Sequence, residues 1–446
     1  MLIQTRREFL MRSLLGCAVT ATIPSFLTQT IWAMENTASG SLTQAATGKD
    51  APILVVIQMG GGNDGLNTII PYGHAEYFKA RPRIALKQDQ VLPVNREIGF
   101  NSALAGVKQL FDSGQMALIQ GVGYPNPNRS HFRSMEIWHT ASDSDRTEKY
   151  GWIGRYFDHC CKGADPTVGV NIGQTLPQAM LAKTSTGVSL ENPEAYRWVS
   201  EQSIGEGRAQ EAEKFYKALN DPAQDEMAAP DLSSGANAGG SIGAVSGIGD
   251  QSVMRNPLDY LERTAMDAQL SSQRIREISR KYKSTVNYPN GQLARGLKLI
   301  AQMIAGALPT RVYYASQGGF DTHSNQTNAH QNLLGDFSSS VSAFVADLKQ
   351  QGNFQRVLIM TFSEFGRRVA ENASGGTDHG TAAPMYLFGE RFKSALIGEH
   401  PSLKDLDKGD LKYKIDFRSV YATVLEDWLK VPSAPILGKK FPKISV

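Results

Sequence analysis

The sequence predicts an α/β fold organised around a parallel sheet. Continuous apolar runs such as Ile53-Leu54-Val55-Val56-Ile57 and Val357-Leu358-Ile359-Met360-Thr361 lack the alternation of a half-exposed strand. They read as strands buried on both faces. Stretches with helical spacing separate the runs, which gives a βαβ rhythm. The runs also break repeatedly into loops carrying Gly with Asp, His, Glu, Ser or Arg. That is where open α/β sheets place their ligands.

Residues 1–33 read as an export signal. Thr5-Arg6-Arg7-Glu8-Phe9-Leu10-Met11, followed by an apolar stretch, is the address of the twin-arginine (Tat) translocon. Thr20, Thr22, Pro24 and Ser25 dilute the apolar stretch, so a cleaved signal fits better than an anchor. Leu14-Leu15-Gly16-Cys17 looks like a lipobox but has no apolar core ahead of it. Cleavage is expected near Ala33, with the product in the periplasm or outside the cell. Removing residues 1–33 takes away three arginines and one glutamate, and lowers the formal charge from +3 to about +1. No basic run points to nucleic acid. No later apolar run is long enough to span a bilayer. Beyond the signal only Cys160 and Cys161 remain, too few for a disulfide scaffold, and they read as two thiols on a helix.

Residues 34–51 are small and polar and read as a linker, and 52–446 as the folded domain. Ile53–Ile57 ends in Gly60-Gly61-Gly62-Asn63-Asp64-Gly65. A helix over Leu104–Phe111 leads to a second buried strand, Met116–Ile119, which ends in the polar loop Gly121–Ser134. A helical and flexible insertion is expected over about 165–290. Within it, 222–253 is poor in large apolar residues and reads as disordered. The rhythm resumes with a helix over Leu293–Leu308 and the strand Arg311–Ala315, which ends in Gly318-Gly319-Phe320-Asp321-Thr322-His323. A helix over 328–350 follows. The strand Val357–Thr361 ends in Ser363-Glu364-Phe365-Gly366-Arg367. Gly376-Thr377-Asp378-His379-Gly380 precedes a shorter strand, Met385–Gly389.

The chemistry-bearing groups are Asp64, Asp321 with His323, and Asp378 with His379. Carboxylates mixed with imidazoles suit zinc or manganese better than calcium. Ser130, flanked by Arg129 and Arg133, has the setting of a nucleophile beside cations that bind an anionic ester. Arg367 is a further cation. Plainer readings stand beside these: Asp64 as a turn residue, Ser130 as a helix cap, Asp321 as a loop brace, and Arg367 in a pair with Glu364. His139, His159 and His330 read as ordinary histidines. Gly60–Gly65 is not a dinucleotide fingerprint.

The runs Gln58–Thr68, Tyr124–Ser134, Gly318–His323, Phe362–Arg367, Gly376–Gly380 and Asp416–Tyr421 together resemble the family labelled domain of unknown function 1501. That family is grouped with the alkaline phosphatase and sulfatase superfamily. The resemblance implies a three-layer α/β/α domain with a central, mostly parallel sheet, and a site where Asp and His residues hold metal. Asp64, Asp321 and Asp378-His379 match positions of that pattern. Pro125 stands at the nucleophile position with Ser130 the nearest hydroxyl, Asn325 stands where a His is expected, and Phe365 replaces a ligand. Two functions follow as expectations. The first is an exported hydrolase of phosphate or sulfate esters with a metal-assisted site, acting on an anionic ester or glycan. The second is a non-catalytic periplasmic binding or assembly protein on a degenerate fold of this kind.

Overall fold

Strand β1 (Ile53–Met59) has no exposed residue, and its apolar side chains divide between two cores by alternation. A computed structural model of the chain describes residues 51–161, 166–184, 187–192 and 275–446. The export signal, nearly all of the linker and the stretch 222–253 lie outside the described residues.

Around β1 lie β2 (Met116–Gly123), β3 (Gly169–Ile172), β4 (Val188–Leu190), β5 (Val312–Gln317), β6 (Val357–Phe362), β7 (Ala383–Phe388), β8 (Leu396–Ile397) and β9 (Ile415–Asp416). The sheet order is β8-β2-β7-β6-β1-β5-β3-β4, with β9 also paired to β2. Every pairing is parallel except those of β7, which runs against both β2 and β6. The sheet is therefore mostly parallel, and β1, β5 and β6 lie side by side at its middle.

Helices cover both faces. On one face Leu54, Val56, Tyr314, Met360 and Leu387 pack against Trp138 of α2 (His131–Thr140), Tyr156 of α3 (Trp152–Cys160) and Tyr421 of α6 (Phe417–Thr423). On the other lie α1 (Ala105–Asp112), α4 (Gln292–Ala305) and α5 (Gln326–Gln350). Phe337 of α5 meets Tyr386 and Phe388 of β7, with ring centroids 6.3 and 6.5 Å apart. This is the three-layer α/β/α arrangement. No helix among the described residues is long and apolar enough to cross a membrane.

Two strands fall inside the span assigned above to an insertion. β3 and β4 extend the main sheet beyond β5, so the sheet continues to residue 190. Four and three residues long, they are too short to show a period in the sequence, and glycines flank them. Residues 193–274 lie outside the described residues.

Direction decides where the loops go. β1, β2, β5 and β6 are mutually parallel, so the loops after them leave from one edge. β7 is reversed, so the segment before it, which holds Asp378 and His379, arrives at that same edge. A fully parallel sheet would have placed it opposite.

Candidate metal centre

Four loops meet at this edge, and a buried arginine ties them. The Arg367 side chain is fully buried. It donates to the carbonyls of Gly62 (2.6 Å), Thr377 (2.8 Å), Phe320 (3.1 Å) and Gly61, and to Asp321 Oδ1 (2.6 Å). The glycines permit this approach. Gly62 has φ +75, and a Cβ there would lie 2.3 Å from the Phe365 ring. Gly366 and Gly380 bond one another's loops at 2.8 Å.

Asp321, His323, His379 and His131 converge. Asp321 Oδ1 lies 2.9 Å from His323 Nε2 and 3.2 Å from His379 Nε2. Its Oδ2 lies 3.4 Å from His131 Nε2. The two Nε2 atoms of His323 and His379 are 2.9 Å apart. Ligand atoms of His131, Asp321 and His379 all lie within 4.8 Å of one another. Burial alone would raise the Asp321 pKa, but the hydrogen bond and charge of Arg367 outweigh it and hold the group at about 2. It stays an anion throughout the working pH range.

The far side of each imidazole fixes its tautomer. His379 Nδ1 donates to the Arg129 carbonyl at 2.7 Å. His131 Nδ1 faces Glu364 Oε1 at 2.8 Å, and His323 Nδ1 faces Asp378 Oδ1 at 3.2 Å. Carbonyl and carboxylate oxygens only accept, so each Nδ1 carries the proton. The opposite nitrogen of each ring, Nε2, faces the Asp321 carboxylate. The carboxylate–imidazole–centre arrangement is how proteins orient metal-binding histidines. The Nε2 atoms of His323 and His379 also lie within hydrogen-bond distance of one another. His131 Nε2 is buried and has no hydrogen-bond partner. Three carboxylates (Asp321, Asp378, Glu364) and one guanidinium (Arg367) bring a formal surplus of two negative charges to the imidazoles. Two imidazole nitrogens and one carboxylate oxygen, from His131, His379 and Asp321, lie close enough to share a divalent transition metal, with His323 beside Asp321 and His379.

The residues nominated from sequence separate into three groups. Asp321, His323, Asp378 and His379 come together, with Asp378 placed behind His323. Asp64 does not join them. Its fully buried carboxylate pairs with Arg81 Nη1 at 2.6 Å, accepts from Leu66 N at 3.2 Å and receives the Gln326 amide. Burial would raise its pKa, but Arg81 lowers it. Asp64 is a buried ion-pair partner and helix cap, not a ligand of this centre. The cations are likewise committed. Arg367 is sealed among carbonyls and serves to position Asp321, so it does not reach an ester. Arg129 pairs with buried Asp410. Arg133 pairs with Glu136 at 2.6 Å.

Ser130 takes the N-cap position of α2, but its side chain makes no capping bond. It is exposed and lies between Arg129, whose carbonyl receives His379, and His131, whose ring belongs to the cluster. His330 is buried and bonded to Asn63 Oδ1 at 2.9 Å, with its pKa lowered to about 4 by burial. Buried His139 is lowered likewise to about 4. Asn325 has φ +46 ahead of α5, a left-handed conformation that Asn tolerates. Phe365 packs against the tilted rings of His379 (4.7 Å) and His131 (4.9 Å), so it supports these imidazoles rather than standing in the centre itself.

Two functional groups escaped the sequence reading, His131 and its orienting carboxylate Glu364. Glu364 is 1% exposed and also accepts from Gly61 N at 2.9 Å. The available signal was His131 in the same polar run as Ser130, at the end of a parallel strand.

The family model described as "Protein of unknown function (DUF1501)" matches residues 251–431. The chain resembles that family, and the matched span holds Asp321, His323, Glu364, Arg367, Asp378 and His379. No curated protein matches the sequence. Solved structures similar to this chain include the lipoteichoic acid synthase LtaP from Listeria monocytogenes, with TM-score 0.37 and 7% identity over 92% of this chain and 81% of that one. Another is a protein of the alkaline phosphatase superfamily from Vibrio parahaemolyticus, with TM-score 0.36 and 7% identity over 94% and 78%. A third is the alkaline phosphatase of the Antarctic bacterium TAB5, with TM-score 0.32 and 10% identity over 76% and 92%.

Proposed function

We propose that this chain is an exported, metal-assisted hydrolase of phosphate or sulfate esters. One observation carries the reading. Three imidazoles, each with its Nδ1 proton engaged by an acceptor, aim their Nε2 atoms at one carboxylate in a centre of surplus negative charge. His131, His379 and Asp321 would hold the ion, with His323 beside Asp321, and the donors suit zinc or manganese. A bound divalent ion supplies Lewis-acid stabilisation of charge developing on ester oxygens.

The chain's own residues supply the rest. Glu364, Asp378 and the Arg129 carbonyl keep the rings in one tautomer and one orientation. Arg367 holds Asp321 ionised and in place. Phe365 excludes water from one side of the imidazoles. Ser130, exposed and uncapped beside His131, is the candidate nucleophile. Twin-arginine export belongs to the same reading, since it moves a protein already folded around its metal.

A second reading, a non-catalytic binding or assembly protein on this fold, is favoured by one observation. Arg129 and Arg367 both spend their charge on internal carboxylates. One experiment decides between the two. Hydrolysis of aryl phosphate and aryl sulfate esters is measured with the metal-loaded mature protein, and again with the Ser130→Ala and His131→Ala variants. Turnover lost in both supports the hydrolase. Absence of turnover from the loaded protein with either ester, under any divalent ion, sinks it.

A further inference from the structure

A cavity of about 530 Å³ opens beside the cluster. Phe365 is shared between the two: it lines the cavity, and its ring lies 4.7 Å from His379 and 4.9 Å from His131. Asn126 lines the opposite wall, on the loop that continues into Arg129–His131. The remaining wall comes from the hairpin Leu406–Leu411 and the segment after it, with Asp407, Lys412, Tyr413 and Lys414. The cavity and the cluster therefore share Phe365 as a common wall.

We infer that this cavity is a subsite for the remainder of the substrate, and that it selects esters carrying a second negative charge away from the scissile bond. The inference rests on the hydrolase reading for the position of the ester, but not for the properties of the cavity. Its volume is that of a small-molecule site rather than of a few waters. Of the three lining aromatics, Tyr124, Phe365 and Tyr413, Tyr413 is the exposed one and offers its face to a planar or sugar-like ring. Two lysines against one aspartate set its charge. Lys412 pairs with Asp405, whose side chain is 71% exposed, so that pair is weak and gives way to a ligand. Lys414 lines the same wall, where its backbone donates to the Gly121 carbonyl at 2.7 Å and its side chain is exposed.

The cavity also answers a difficulty at the centre. With Arg129 and Arg367 committed, Lys412 and Lys414 are the cations that line the cavity. They lie beyond Phe365 and not at the ester, which is why they select for a distal charge.

The test compares phenyl phosphate with 4-carboxyphenyl phosphate, which differ only in a distal carboxylate. Binding is titrated calorimetrically on the metal-loaded mature protein and on a Lys412→Ala/Lys414→Ala double variant, with phosphate release followed in parallel. Wild type is expected to bind the carboxylated ester about fivefold tighter, the scale of a partly exposed ion pair. The double variant should lose that preference, bind phenyl phosphate as before and melt as wild type does. Equal affinity for the two esters in wild type overturns the inference, as does an equal loss for both in the variant. If neither ester is hydrolysed but the lysine-dependent preference persists, the hydrolase reading falls and the subsite stands. Hydrolysis without the preference gives the reverse.

Discussion

Asp64 separates two accounts of this protein, because the sequence nominates it as a metal ligand and the structure gives it to Arg81. Both side chains are completely buried, with Nη1 and Oδ2 2.6 Å apart. Arg81 also donates to the carbonyls of Val369 (2.9 Å) and Arg368 (2.8 Å) and to Asn67 Oδ1 (2.8 Å), so the guanidinium pins the helical turn after Asp64 to the loop after Arg367. Replacing Asp64 by Ala leaves that guanidinium buried without its counter-charge. Breaking one side of a buried pair costs about 3–5 kcal/mol. At roughly 2 °C per kcal/mol for a chain of this size, melting should fall by roughly 6–10 °C. The pH dependence has a fixed sign. Arg81 holds the folded-state pKa of Asp64 below its ordinary value, so the pair's contribution is complete above about pH 4 and is lost as pH falls through the lowered value. Wild type and Asp64→Ala should therefore converge in stability in acid. The assays are thermal melting across pH and metal content by mass spectrometry. Loss of bound metal in Asp64→Ala with melting unchanged would refute the reasoning and restore Asp64 as a ligand.

Four further outcomes follow from the same geometry. Glu364→Gln removes the carboxylate behind His131 while keeping its shape, and should weaken metal affinity by about 10–100-fold in competition with a chelator. Ser130→Ala should abolish ester turnover with metal content and melting unchanged; persistent turnover would assign the attack to water. Gly62→Ala is strained at φ +75 and drives a methyl into the Phe365 ring, so turnover should drop with the displaced histidines, and a Phe365→Ala partner change should restore part of it. Burial lowers His139 and His330 from the ordinary histidine range to about 4, so their contribution is present above about pH 6.5 and is lost as pH falls toward 4. Urea titrations between those values should show stability falling with acidity, with a shallower slope in a His139→Asn variant.

Much of the fold was legible because strands buried on both faces have a strong local signature. β1 and β6 are apolar runs apart from Gln58 and Thr361, and their starts coincide with the apolar runs read from the sequence. The reversal of β7 was not legible, because pairing direction leaves no mark on a six-residue apolar segment. Yet that reversal brings His379 to Asp321. β3 and β4 were missed because segments of three or four residues carry too little pattern. At the site, Asp321, His323, Asp378 and His379 announced themselves by residue type at strand ends. Asp64 and Arg367 did so equally well and proved to be internal partners. Composition cannot distinguish a carboxylate facing a ligand from one facing a buried arginine; the distinction lies in residue 81, seventeen positions further on. His131 was obscured by its neighbour Ser130, which drew the attention owed to a nucleophile.

On this reading His131, His379 and Asp321 together hold one divalent ion, with His323 beside them. The most direct test is metal content of the purified mature protein by mass spectrometry, in wild type and in His131→Ala. His131 is the informative position because it enters the cluster only through the fold. One ion per chain in wild type, reduced to background in His131→Ala while the variant still melts cooperatively, is the expected result. A full complement of metal in that variant, or none in wild type after loading with zinc or manganese, would contradict it.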